Sequence, residues 1–313
     1  MPDDPLPPED VLVRLLTRGL AQSARTITGP GDDCAVIQLP GGKSRQLLKA
    51  DAVVENVHFT RAMPAAAVGN KALCRAVSDI AAMGGAPCEA LITLVLPPDI
   101  SLTWVKGVYA GLNKAARRWG VGIAGGETSS AAAGSPVVIS VCLTGELPSD
   151  ADAGSGSGSG LNSAAVRRSG ARPGEVIAVT GRLGNSFASG WHLNFTPRLR
   201  EAQWLMLHFP PTAMMDLSDG LAKDLPRLAA ASRCGWDLEV TALPLRKGAD
   251  TAAALGDGED YELLMTFRPE VWQDLAAAWK KQFPRVPLTQ IGRITARRVK
   301  RPALAGGWDH FQA

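Results

Sequence analysis

The sequence predicts an α/β chain of two domains, and three observations predict it. Runs rich in Val, Ile and Leu, bounded by Gly or Pro, alternate with longer stretches at helical spacing in both halves of the chain. A Gly/Ser/Asp-rich segment, PSDADAGSGSGSGLNS at 148–163, separates the halves and carries almost no apolar group to pack. The 313 residues, 46% hydrophobic and 20% charged, suffice for about two domains with a sizeable core. The expected division is an N-terminal domain over 1–147, a linker or loop over 148–163 and a C-terminal domain over 164–313.

The chain opens with EDVLVRLLTRGL, residues 9–20, whose apolar spacing and leading acids predict an amphipathic helix ended by the glycines of TGPGDD. Strands are expected at 33–38, 46–54, 90–97, 121–124 and 136–145, with helices at 65–83 and 102–118 between them. After the linker, strands are expected at 175–180, 236–241, 260–267 and 288–294, and helices near 198–208, 220–232 and 269–282.

Composition narrows the function. The net charge is +3, and neither sign runs together, so no electrostatic footprint points to nucleic acid or membrane; a small-molecule ligand is expected. The five cysteines, Cys34, Cys74, Cys88, Cys142 and Cys234, show no CxxC spacing and read as free thiols of a reducing cytoplasm. The start, MPDDPLPPED, is acidic and proline-rich, unlike a signal peptide, and no apolar run reaches the roughly eighteen residues of a membrane span. A cytoplasmic protein is expected.

The chemistry sits in scattered acids. Asp33, Asp51, Asp79, Glu127, Asp216 and Asp219 each adjoin an apolar run, where an unpaired carboxylate is costly. Oxygen ligands from distant segments, with no His or Cys cluster, suit Mg²⁺ working with substrate phosphates. Each acid also has an ordinary reading. Asp32 and Asp33 in GPGDDCAVI could bond turn amides. Asp51, Val53 and Glu55 share one face of a strand in KADAVVENVHF, where a charge needs a partner, and His58 ends that strand, with lone histidines more often structural than ligands. Asp79 lies on a helix apolar on most sides, with Arg75 at i−4 as an alternative ion-pair partner. In MMDLSDGL, one of Asp216, Ser218 and Asp219 would suffice as a helix cap, which leaves an oxygen-rich group for a metal or phosphate. GDGEDYELLMTF gathers Asp257, Glu259, Asp260 and Glu262, either near a cation or as a solvated acidic turn. No GxxxxGK[ST] phosphate loop is present, so metals are expected to hold any phosphates.

Taken in order, GPGDDCAVI, DAVVENVHF, KALCRAVSDIAAMGGAP, GGETSS, RRSGARPGEVIAVTGRLG, PRLRE, MMDLSDGLAKDL, GEDYELLMTF, QIGRIT and GWDHF resemble the thiamine-monophosphate kinase family of the aminoimidazole ribonucleotide synthetase-like superfamily. The resemblance runs from about residue 9 to 311, and VHF, GEDYEL and GWDHF are its most specific parts. It implies an N-terminal α/β domain contributing strands to a dimer barrel, a C-terminal α/β domain, a homodimer, and transfer of the γ-phosphoryl group of ATP to thiamine monophosphate with several Mg²⁺ ions. By position, Asp33, Asp51, Asp79, Glu127, Asp216 and Asp219 are the implied metal ligands. Tyr109, Gly125, Gly126, Arg168 and Ser218 are the implied ATP contacts, and His58, Glu259 and Trp308 the implied substrate contacts. No general base is assigned, because an acceptor phosphate oxygen is already ionised near neutral pH.

Three positions depart from the family pattern. Lys49 and Ala50 stand where Ser-Thr is usual and remove a hydroxyl ligand, Glu127 replaces an aspartate, and Asp257 replaces a glycine. The alternatives are a non-catalytic nucleotide- or thiamine-phosphate-binding homologue and another ATP-dependent synthetase of the superfamily. Of the latter, selenophosphate synthetase would need a reactive Cys near the N-terminus, which this chain lacks.

Overall fold

The computed structural model describes residues 6–41, 44–147, 165–297 and 304–311; the Gly/Ser-rich segment read as a linker at 148–163 lies outside the described residues. The N-terminal half runs α1 (Glu9–Thr17), β1 (Thr26–Thr28), β2 (Ala35–Gln38), β3 (Arg45–Val54), α2 (Ala65–Ala82), β4 (Ala86–Leu96), α3 (Leu102–Trp119), β5 (Gly122–Ser130) and β6 (Val138–Glu146). Its strands form one six-stranded sheet in the order β1-β2-β3-β6-β4-β5, antiparallel except for the parallel pair β4 and β5.

Side chains alternate across this sheet. Leu47, Val53, Ile92, Ile139 and Val141 point into the core, where α2 packs with α3 beside it. The register places Asp51 opposite Val141 and Val141 opposite Ile92, so Asp51 and Lys49 face inward with them. The other face is open: Leu48, Leu91 and Cys142 are exposed on it, on neighbouring strands.

Helix α2 is the hub. Thirteen of its eighteen residues are buried, among them Lys71, Ser78 and Asp79. Close packing on α3 depends on two glycines: a Cβ at Gly69 would lie 2.0 Å from the Val108 carbonyl oxygen, and one at Gly111 1.9 Å from that of Ala66. The helix stops at Gly84, whose φ of 76° is left-handed.

The C-terminal half runs β7 (Val176–Thr180), α4 (Trp191–Asn194), α5 (Leu199–His208), β8 (Ala213–Asp216), α6 (Leu221–Ala231), β9 (Gly235–Leu238), a 3₁₀ turn at Val240–Ala242, α7 (Thr251–Gly256), β10 (Leu263–Phe267), α8 (Pro269–Gln282) and β11 (Leu288–Thr295). Its five strands pair antiparallel in the order β8-β10-β7-β11-β9. Strands β7, β8 and β10 are buried along their whole length, which means both faces are covered. One face, with Val176, Ala178, Met214 and Met265, joins the core of the N-terminal half. The other, with Ile177, Val179, Met215 and Leu264, packs with Leu221, Leu225 and Leu228 of α6.

The structure is the expected mixture of helices and strands in both halves. The first core strand starts at Ala35, not 33, and the segment read as strand at 121–124 continues to Ser130. The strand holding Asp51 ends at Val54, so His58 sits in the turn beyond it. Four short elements, β1, β8, α4 and α7, have too few residues to show a period, and only the end of β8 was anticipated. Among the described residues no helix is long and apolar enough to cross a membrane.

Candidate functional site

Three carboxylates from three separate elements converge. Asp33 precedes β2, Asp79 lies on α2 and Asp216 ends β8; each offers an oxygen within 4.8 Å of the others, and all three are buried. Burial, with the Asp33 charge adding to it, pushes the Asp216 carboxyl up to about 6, and burial holds Asp79 above the ordinary carboxylate range too. Such a cluster needs cations or donors, and it has some. Arg168 Nη2 donates to Asp33 Oδ1 at 2.6 Å, Lys49 Nζ to Asp79 Oδ1 at 2.7 Å, and Ser78 Oγ to Asp216 Oδ2 at 2.6 Å. Asp33 Oδ2 is buried with no hydrogen-bond partner. An orphaned carboxylate oxygen beside two further buried carboxylates fits a hard divalent cation such as Mg²⁺.

The other acids read from the sequence as metal ligands stand differently. Asp51 faces the same core, but Arg75 Nε and Nη2 hold its carboxylate at 3.0 and 3.2 Å, and Arg75 with Lys49 keeps it below the ordinary range against the opposing effect of burial. Asp219 accepts from Arg227 Nη1 at 2.5 Å. Glu127 is exposed on the edge strand β5, apart from the three-carboxylate cluster. The six acids are therefore not one cluster: three meet, two lie paired with arginines, and one lies apart. Asp79 pairs with Lys49, not with Arg75 as its i−4 spacing suggested.

Two cavities lie on the far side of the groups that partner these acids, Arg168 and Arg75 among them, and neither is lined by Asp33, Asp79 or Asp216 themselves. One, of about 520 Å³, is lined by His58, Glu259, Trp308, Phe187, Arg75 and Ser218, so the three expected substrate contacts share one space. The larger, of about 1040 Å³, is lined by Asp51, Arg168 and Arg227 and shares Arg75, Ser218, Asp219 and His310 with the first. Of the expected nucleotide contacts, Arg168 and Ser218 therefore border the larger cavity. Gly125 and Gly126 lie on β5, where a Cβ at Gly126 would meet the Ile92 carbonyl oxygen at 1.8 Å, and Tyr109 packs half-buried on α3; none of these three lines either cavity.

The walls of the smaller cavity are built precisely enough to name their causes. Lys71 is 0% exposed, yet its ammonium donates to the His58 carbonyl and to the Glu259 carboxylate, both at 2.7 Å. It joins the turn after β3 to the loop before β10. Glu259 and Tyr261 both have left-handed backbone, with φ of 53° and 49°, a strained arrangement that the surrounding contacts must hold. His58 Nδ1 accepts the Val54 backbone N–H at 3.1 Å, and burial, helped by Arg75 and Lys71, pushes the imidazole down to about 3. At the rim, Trp308 and Phe187 are 48% and 55% exposed, and the Trp308 backbone N–H donates to the Asp219 carbonyl at 2.9 Å.

Sequence reasoning missed Lys71, and it named Arg75 only as a possible partner of Asp79, not of Asp51. Their signal was available: positions 71, 75, 78 and 79 form a polar stripe at i, i+4, i+7 and i+8 on an otherwise apolar helix. It also missed His310, which lines both cavities and whose ring lies 5.5 Å from that of His58.

Three buried carboxylates brought together from a turn, a helix and a strand end of two α/β halves define a class, and comparison with known proteins names it. Residues 31–147 match the N-terminal domain of AIR synthase related proteins, and residues 148–303 match the C-terminal domain. Thiamine-monophosphate kinase of Rhodopirellula baltica is 35% identical over 90% of this chain and 86% of its own length; that of Salmonella typhimurium is 32% identical over 86% and 84%. Among solved structures, AaThiL complexed with AMPPCP and TMP superposes with a TM-score of 0.78 at 30% identity, covering 97% of each chain. The chain belongs to the AIR synthase related family, and within it to the thiamine-monophosphate kinases.

Proposed function

We propose that the chain transfers the γ-phosphoryl group of ATP to the phosphate of thiamine monophosphate, giving thiamine diphosphate and ADP. The observation that carries this is the meeting of two cavities at Arg75 and Ser218, one rimmed by aromatic rings and the other lined by arginines and aspartates. The aromatic cavity suits a flat cationic heterocycle: Trp308 and Phe187 offer ring faces, and Glu259 offers a carboxylate for its charge. The larger cavity suits the polyphosphate, with Arg168 and Arg227 at its wall. A kinase of this type needs in-line placement of two anions more than covalent chemistry. An acceptor phosphate oxygen attacks the γ-phosphorus, the bond from the γ-phosphorus to the bridging oxygen breaks, and its electron pair leaves with ADP. No residue has to remove a proton, and none is assigned to do so.

Asp33, Asp79 and Asp216 would hold Mg²⁺, which when bound neutralises donor and acceptor phosphate oxygens and offsets their repulsion. Asp51, Asp219 and Glu127 are proposed as the remaining ligands, the first two on exchanging their arginine partners. Gly125, Gly126 and Tyr109 are proposed as nucleotide contacts, and Gly126 leaves its backbone bare where any side chain would clash. Residues 1–147 are proposed as the nucleotide-binding and dimerising domain and 164–313 as the C-terminal domain. A homodimer is supported by the open sheet face carrying Leu48, Leu91 and Cys142. A cytoplasmic site of action fits a biosynthetic kinase with free thiols.

The test is incubation of purified protein with Mg-ATP and thiamine monophosphate, following thiamine diphosphate and ADP together. Equimolar appearance of both is expected. Binding of both substrates without turnover would instead make the chain a non-catalytic homologue.

A further inference from the structure

We propose that Lys49 is a built-in cation of the carboxylate cluster, its ammonium standing beside Asp79 where a further divalent ion would otherwise be held. The inference rests on the reading of Asp33, Asp79 and Asp216 as the metal centre. Lys49 lies on the inward face of β3, two residues before Asp51, and reaches across to Asp79 on α2 at 2.7 Å. Asp51 takes its side-chain hydrogen bonds from Arg75, and Lys49 makes its own to Asp79.

Charge counting says what this does. The cluster has three carboxylates; Arg168 stands on Asp33, Lys49 on Asp79, and only a neutral hydroxyl on Asp216. One net negative charge remains with Lys49 present and two without it. Asp79 Oδ1 is occupied by the ammonium, while Asp33 Oδ2 is buried and unpartnered. An ammonium carries one charge, offers no ligand atom and cannot leave with product. It fixes Asp79 before any ion arrives, and it lowers the number of divalent ions that the site must recruit.

The experiment is titration of the full chain with Mn²⁺ alone, without nucleotide and at low salt, counting free ion by its paramagnetic resonance. Lys49→Thr, which replaces the charge with a hydroxyl ligand, is expected to bind one more Mn²⁺ per chain, or the same number at least about tenfold more tightly, since a unit charge a few Å away is removed from a poorly screened site. Lys49→Arg is expected to match the wild type. Equal number and affinity in wild type and Lys49→Thr would overturn the proposal, because the lysine would then be a placeholder that the metal displaces. Should Lys49→Thr not fold, the side-chain ammonium ¹⁵N signal of Lys49, assigned by its loss in Lys49→Arg, decides the matter on the wild type. It is expected to stay protected at saturating Mg²⁺, and release to the exchange rate of a surface lysine would refute the idea. Failure of the underlying metal reading looks different: Asp216→Asn would then bind as much Mn²⁺ as the wild type.

Discussion

His58 shows how a single side chain carries a pH dependence into the fold. Its Nδ1 must stay unprotonated to accept the Val54 N–H, and burial with Arg75 and Lys71 nearby lowers its titration from 6.5 to about 3. The unfolded chain takes up the proton near 6.5 and the folded chain only near 3, so His58 contributes stability that is full above 6.5 and is lost progressively as pH falls toward 3. Thermal melts between pH 7 and pH 4 should show this loss. His58→Gln, whose amide oxygen can still accept from Val54, should flatten it; an unchanged slope would place the acid sensitivity elsewhere. At the cavity rim, Trp308→Ala is expected to raise the KM for thiamine monophosphate roughly tenfold, the loss of one ring face for a cation, with little change for ATP. Equal loss for both substrates would remove the stacking role. The residues behind these predictions were unequally legible. Trp308, His58 and Glu259 lie in motifs that mark them, whereas Lys71 and Arg75 lie in an apolar helical stretch, and their partners, at Glu259 and Asp51, come from distant parts of the sequence that only the tertiary fold brings near.

At the scale of elements, the crossing of α2 on α3 is the most exacting contact. Gly111 places its backbone against the Ala66 carbonyl, and a methyl there would sit at 1.9 Å, far inside contact distance. Gly111→Ala is therefore expected to cost about 1–3 kcal/mol through forced separation of the helices, read as a lower midpoint in urea with an unchanged slope. A midpoint equal to the wild type would mean that the helices shift without penalty. These two helices could be read in the sequence because each is long enough to repeat its apolar period several times, and most strands could be read from Val, Ile and Leu runs bounded by Gly or Pro. Strand β1 has three residues and α4 has four, and neither can display a period. Strand β5 was readable only at its start, since GGETSS is small and polar and takes its extended form from pairing with β4.

For the whole molecule, the two halves share one core, and Ser78 on α2 bonds Asp216 on β8 across it at 2.6 Å. Ser78→Ala leaves that oxygen unmatched inside the protein, and a loss of about 1–3 kcal/mol is expected, largely restored by Mn²⁺ if the vacated oxygen becomes a ligand. No rescue by the ion would argue against the metal centre. The open sheet face bears on the proposed homodimer: if that face is its interface, Leu91→Arg should give a monomer in sedimentation where the wild type gives a dimer, since a charge would have to be buried between two apolar faces. A sedimentation coefficient unchanged by the substitution would move the interface to another surface. The overall two-domain architecture was legible from alternation and motif order, but how the halves meet was not, because the Ser78–Asp216 contact joins positions 138 residues apart.

Helix α2 touches α3, α4, α5, β3, β4, β6 and β8, and beyond its first turn, from Val68 to Ala82, nearly every residue is buried. Its amide hydrogens should exchange with deuterium only when the entire molecule opens, making the slowest-labelled peptide the one that presents Lys71, Arg75 and Asp79. The chemistry is thus mounted on the last part of the chain to come apart, and any motion that admits or releases ligands has to be made by the segments around this helix while it stands still.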